Sequence, residues 1–428
     1  MKNRNLKFIF LILSFFSCQK FNSSFVTAKS GTNDPTPNGP VGVGTVYFSA
    51  NDSGVYKMFK LEGGVITEAL ILPEDTSLNS ITYFNGFYYL GLSGHGNSRD
   101  GELYKIENDA LVQVFEISSS GSSNPKYLTV HNGEIFFSAN DGTGGRELWK
   151  MNATEQVSLV SDIEPGSMGS FPQSLTSFSG KLYFSATTLN QGNELRVYND
   201  GNLSIVSNAV SGGRDSFPSF LHKHEGELYF SSIKSTSRSP TAEIGSLTTL
   251  EGFFNKVSSS GSTSEVASAS IDIKFPVSLG GVIYTSCSVN RDNTELCKLN
   301  SQGNFESLGD INPEGGAGQA NASKPSHLTV FNGKIYFSAY RDSDGVELWE
   351  YSPSSGIKQV KDIYPGVMSS HPSSFWVFEN KLYFSANDGS NGHELWSVNA
   401  SGVASLEKDL FVGSGSSYPE FPFSFYSN

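Results

Sequence analysis

The 428 residues carry 29 Lys and Arg against 42 Asp and Glu, a formal balance of −13 that argues against a nucleic-acid or anionic-membrane surface. Charged residues make up only 17 %, below the roughly 25 % of ordinary soluble domains, whereas aromatics reach 13 % and glycine occupies 44 positions. That bias favours strands and turns over long surface helices, so the expected class is all-β.

At the N-terminus, Lys2, Arg4 and Lys7 precede the apolar run Phe8 to Leu13, and small Ser17 leads to Cys18, the layout of an export signal. The apolar stretch from Leu6 to Phe16 is about 11 residues against the roughly 20 a spanning helix needs, so residues 1–17 read as a signal peptide. The segment "LILSFFSC" resembles the lipobox of bacterial lipoproteins, which implies lipidation of Cys18 after cleavage. Cleavage leaves 26 basic residues against 42 acidic, a balance of −16. Residues 18–44 have no apolar period and are rich in Ser, Asn, Gly, Pro and Thr; they read as a disordered tether behind the lipid. About 26 residues of such chain reach roughly 25–30 Å, enough to hold a folded body off a membrane.

From Thr45 onward one unit recurs eight times. "TVYFSAND", "GFYYLGLS", "EIFFSAND", "KLYFSATT", "ELYFSSIK", "VIYTSCSV", "KIYFSAYR" and "KLYFSAND" align on Phe48, Leu90, Phe137, Phe184, Phe230, Thr285, Phe337 and Phe384. A period near 47 suits propeller blades, and four short strands fit each unit, as in "SLTSF", "KLYFSA", "ELRVYN" and "LSIVSN". Asn85-Gly86, Asn132-Gly133, Ser179-Gly180 and Asn332-Gly333 join the first and second strands, and Asn-Gly marks a tight hairpin because both residues tolerate positive φ. The longest recurrent link, "SDIEPGSMGSFPQ" and its copies, follows the fourth strand. This places the "LTVF" strand along a central channel and sends the long link out on the same face as the loop between the second and third strands.

The first unit starts inside its second strand, and aligning Pro419 with Pro172 sets Phe423, Ser424 and Phe425 on Thr176, Ser177 and Phe178. The expected architecture over 45–428 is therefore a closed eight-bladed β-propeller with four antiparallel strands per blade, its last strand, 422–428, completing the first blade.

Glu147-Leu148-Trp149, Glu347-Leu348-Trp349 and Glu394-Leu395-Trp396, with weaker copies at Glu102, Glu194 and Glu295, follow "FSAND" and precede the "DI.PG" link. This pattern resembles the bacterial ELWxxDGT repeat family of exported, propeller-like proteins, although no unit carries the "DGT" half. The resemblance implies fold and export and leaves activity open. The repeated Glu and Trp read as an inter-blade hydrogen bond and a packing anchor.

Candidate chemistry is sparse. Cys287 and Cys297 face each other across a turn, directly opposite if paired residues sum to 584, and an exported compartment permits a disulfide; two packed thiols are the other reading. No zinc, nucleophile-elbow or phosphate-loop motif occurs, and the His222/His224 pair lacks a third ligand nearby in sequence. Asp52, Asp141 and Asp388 occupy one turn position, Asp342 and Asp344 the equivalent loop, and Asp162, Asp310, Asp362 and Asp409 open the links. Such oxygen ligands suit Ca²⁺, while turn capping explains the same residues without any ion. The expected function is a monomeric, lipid-anchored binding or scaffold module of the cell envelope for a protein or glycan, touching the membrane only through its lipid. The alternative is an exported glycoside hydrolase or polysaccharide lyase, which would need two carboxylates at a fixed separation.

Overall fold

The computed structural model describes residues 44–52, 54–95, 100–207, 216–235, 250–290, 293–313 and 322–420. Cys18, the leader, the tether to residue 43 and the closing strand expected at 422–428 lie outside the described residues. Every regular element among those described is a β-strand, and the chain forms an eight-bladed β-propeller of four-stranded antiparallel blades arranged in a ring.

Blade four shows the plan: Gln173–Phe178, Lys181–Thr188, Gly192–Asn199 and Asn202–Ser207 pair in sequence order. Second strands read as continuous buried runs, not as alternating ones: Leu182 to Ala186, Ile335 to Ala339 and Leu382 to Ala386 are buried without a break. Each such strand is covered on both faces by neighbouring blades, which is why its sequence is apolar throughout. Phe137, Phe184, Phe337 and Phe384 are fully buried there. Three of them sit opposite the aromatic of the third strand, as Phe137 with Trp149, Phe337 with Trp349 and Phe384 with Trp396. Burial of each ring contributes about 2–3 kcal/mol.

First strands of successive blades touch one another around the ring: Thr76–Phe84, Lys126–His131, Gln173–Phe178, Ser219–His224, the end of Thr263–Leu279, Ser326–Phe331 and Ser373–Phe378. They line the central channel, where the "LTVF" pattern placed them. All but Thr76–Phe84 carry a bulge next to a residue of positive φ, at Tyr127, Ser174, Phe220, Phe275, His327 and Ser374.

Blade eight packs on blade one. The Phe48 and Trp376 rings lie 6.2 Å apart, Lys408 Nζ donates to the Ile66 carbonyl at 2.7 Å, and Gly64 N–H donates to Glu379 Oε2 at 3.1 Å. Ser49 and Glu420 exchange backbone bonds of 3.1 and 2.8 Å, and Asn51 N–H donates to Ser417 O at 2.6 Å. The same bond recurs at Asn140–Ser123, Thr187–Ser170 and Asn387–Ser370, so the chain beyond blade eight enters blade one as the chain enters blades three, four and eight.

Two details depart from the uniform repeat. Blades five and six are one seven-stranded sheet, because Thr263–Leu279 is the outer strand of one and the inner strand of the next; Ser270 pairs with both Glu251 and Ser288. Cys287 and Cys297 are joined by a disulfide, but the paired residues sum to 582: Cys297 opposes Thr285 and Cys287 opposes Glu295. The cysteines are thus diagonal neighbours, 5.9 Å apart at Cα, a separation within the range a disulfide spans. Both are buried: Cys297, opposite Thr285, takes the place of the third-strand Trp, and Cys287, opposite Glu295, takes the place of the second-strand Ala.

Candidate functional site

The two ends of the ring differ in chemistry. One end holds the short hairpins, where Asn85-Gly86, Asn132-Gly133 and Asn332-Gly333 all adopt positive φ. The other holds the long links and the second-to-third loops, in mutual contact. A Cβ on Gly145 would fall 2.5 Å from Gly169 N, and one on Gly345 would fall 2.2 Å from Met368 O, so only glycine lets loop and link approach this closely.

The ELW glutamates hold this link face together. Glu102, Glu147, Glu194, Glu295, Glu347 and Glu394 are at most 2 % exposed. Glu347 accepts from Ile363 N–H at 2.7 Å, Ser370 N–H at 2.9 Å and Ser370 Oγ at 2.6 Å. Glu147 repeats this with Ile163, Glu164 and Ser170, and Glu394 with Leu410, Phe411 and Ser417. Each of these three carboxylates therefore ties a third strand to both ends of the outgoing link. Burial raises these carboxyls against the pull of their donors, to about 7 for Glu347. The equivalent position is Lys57 in blade one, opposite Ala50, and Phe253 in blade five, opposite Ser232. Those are the two blades without the long link: residues 72–75 alone join blade one to blade two, and blade five runs straight into blade six.

The acidic turns are used locally and are not gathered. Asp141 Oδ1 accepts from Thr143 and Gly144 N–H at 2.8 and 2.7 Å, and Asp388 Oδ1 from Ser390 and Asn391 N–H at 2.8 Å. Burial raises both carboxyls, but these donors outweigh it and hold them below their ordinary value. Asp344 pairs with Arg341 in its own turn, and the Asp342 backbone N–H bonds Asn312. Asp310 and Asp362 accept from Asn312 and Gly366 N–H within their links, Asp162 is exposed, and Asp52 ends a strand opposite Val55. Oδ1 of Asp362 and of Asp409 is buried without a hydrogen bond. Among the described residues no three His, Cys, Asp or Glu side chains gather as a metal site. The expected outcome in calorimetry at matched ionic strength is that sub-millimolar Ca²⁺ shifts the melting temperature no more than Mg²⁺ or NaCl. A Ca²⁺-only rise of several degrees would assign the turns to a metal.

The channel mouth was not foreseen. Just before six first strands the chain reads Ser-x-Pro: Ser123-Asn124-Pro125, Ser170-Phe171-Pro172, Ser216-Phe217-Pro218, Ser323-Lys324-Pro325, Ser370-His371-Pro372 and Ser417-Tyr418-Pro419. The serine is the partner of the buried glutamate. The middle residue donates its N–H to the carbonyl just before that glutamate, as Phe171 to Arg146 O at 3.0 Å and Tyr418 to His393 O at 3.1 Å. All six middle residues are thereby held at φ between 43 and 50°. For side chains other than Asn or Gly this conformation costs about 1–3 kcal/mol each. Packing does not compensate it fully: Phe171 and Phe217 are 41 % exposed and Tyr418 55 %.

One layer deeper lie the bulge residues. Phe220 and Phe275 rings are 5.2 Å apart, Phe275 and His327 5.5 Å, and His327 and Phe375 6.2 Å, an aromatic arc crossing blades five to eight. His327 is exposed to the channel, and the surrounding channel wall lowers its imidazole below the ordinary value. In the channel wall, His222 Nε2 and His224 Nδ1 both bond Ser278 Oγ of the next blade, at 2.7 and 2.8 Å, so this pair has a serine for its third member.

No family model matches the chain, and no curated protein matches it. Among solved structures it is similar to prolyl oligopeptidase B from Galerina marginata, at 11 % identity and TM-score 0.52, over 78 % of this chain and 51 % of that one. It is also similar to one of two structurally analysed prolyl endopeptidases, at 11 % identity and TM-score 0.51, over 82 % and 51 %. The chain spans about half the length of these proteins, and at this identity the likeness is one of fold.

Proposed function

We propose that this protein is an exported, lipid-anchored propeller of the cell envelope that works as a binding module, presenting its link face to a protein or glycan ligand. One observation carries the reading. Of the fifteen exposed large apolar side chains among the described residues, nine lie on the link face: Val55, Met168, Phe171, Leu189, Phe217, Val367, Met368, Val412 and Tyr418. Apolar exposure concentrated on one face, with aromatic and Met side chains among acidic turns, suits recognition, and the acidic surround favours a partner with basic groups.

The test presents the full chain in detergent to a glycan array and to purified envelope proteins. Changing Met168, Val367 and Met368 to Asp is expected to abolish the signals, whereas Val65→Asp and Val403→Asp, at the opposite end, leave them intact. Equal losses from both sets would sink the reading. Anchoring rests on "LILSFFSC": Cys18→Ala is expected to release the protein from membranes and remove metabolic palmitate label. Unchanged retention, with no label in the parent, would remove the lipid from the proposal.

A further inference from the structure

The strained ring at the channel mouth is where a ligand's chemistry can be read. From it we infer that the mouth binds a saccharide chain, stacked on Phe171, Phe217 and Tyr418 and reaching the deeper arc of Phe220, Phe275 and His327. This rests on the reading of the protein as a binding module and assigns that module its site and ligand class.

The backbone at the six Ser-x-Pro positions is fixed by the serine and glutamate bonds, whatever the middle side chain is. Glycine or asparagine would adopt the required φ most easily, yet only Asn124 does so; the other five are Phe171, Phe217, Lys324, His371 and Tyr418. Large rings kept in an unfavourable conformation, with about half their surface exposed, are better explained by what they contact from outside than by the fold. The deeper tier sharpens the class. Its rings lie in the channel on the first strands, where a slender polymer reaches and a folded protein surface does not. Ser219 and Ser326 lie next to Phe220 and His327 on the same strands. Flat apolar ring faces alternating with hydroxyl groups match a pyranose, which offers an apolar C–H face and a rim of hydroxyls.

The test uses isothermal calorimetry on the full chain in detergent with three defined probes: hexasaccharides of glucose, of N-acetylglucosamine and of galacturonic acid. Binding of at least one is expected. The combined variant Phe171→Gly, Phe217→Gly, Tyr418→Gly should weaken it about tenfold or more. Because glycine relieves the left-handed strain, the same variant should melt no lower than the parent, which separates a lost site from a lost fold. If none of the three probes binds, or if the variant binds as tightly as the parent, the inference is overturned. A protein ligand lost with the Met168, Val367 and Met368 changes but kept in the glycine variant would also overturn it, while leaving the binding-module reading standing.

Discussion

Glu347→Ala is expected to lower stability by about 3–5 kcal/mol at pH 5, since it strands Ile363 N–H, Ser370 N–H and Ser370 Oγ–H in a buried site. Lys57→Ala is the control. It removes the equivalent residue of blade one, whose ion pair with a half-exposed Glu68 is worth at most about 1 kcal/mol. Burial raises the Glu347 carboxyl to about 7, so the folded protein favours its protonated form. The stability this contributes is fully present below the ordinary carboxyl value and is lost as pH rises through 7. The gap between parent and Glu347→Ala should therefore narrow between pH 5 and pH 8. His222 and His393, which burial lowers to about 3 and 4, act in the opposite sense: their contribution is full above the ordinary imidazole value and falls as pH drops. They are the same in both proteins, so the difference isolates Glu347. Urea unfolding followed by tryptophan fluorescence measures it, and a cost under about 1 kcal/mol would show that the glutamate is not what holds the link.

Much of the fold is legible in the sequence because the repeat writes the same instructions many times. The period near 47, the Asn-Gly hairpins and the apolar second strands each specify a blade, and eight copies leave little room for another architecture. The glutamate was legible as a structural bond for the same reason. Its dependence on the link was not, because it shows only by contrast with Lys57 and Phe253, which look like ordinary variation until register sets them opposite Ala50 and Ser232. The merging of blades five and six was hidden too: "SEVASASIDIKFPVSL" has the residues of a strand, but sequence alone does not say that one strand serves two blades. The acidic turns stand out in the sequence because they repeat, and the structure consumes most of them within their own turns. The channel mouth escaped notice for the opposite reason. Its middle residues are Asn, Phe, Phe, Lys, His and Tyr, which share no chemistry, and nothing in Phe or Tyr signals a left-handed backbone. The recurring flanks, Ser before and Pro after, were the available signal.

Removing residues 419–428 is expected to open the ring. Blade one is otherwise a three-stranded sheet, Thr45–Asp52, Val55–Glu62 and Val65–Ile71, whose inner edge is met at Ser49 by Glu420 through two backbone bonds. Without that partner, Ser49 N–H and C=O on the inner edge of Thr45–Asp52 lose their bonds, and an unpaired strand edge is a template for association. The buried cluster that joins Phe48, Tyr88 and Leu90 to Trp376 and Tyr383 also spans this seam, so loosening it affects blades eight, one and two together. Ser417 and its bonds to Glu394 are retained in the truncated chain, so the glutamate network there stays intact and the effect reports closure alone. A fall in melting temperature on the order of 10 °C is expected for a loss of several kcal/mol, with concentration-dependent association in light scattering. A truncated protein that melts with the parent and stays monodisperse would mean that the packing of blade eight on blade one, through contacts such as Lys408 with Ile66, closes the ring by itself.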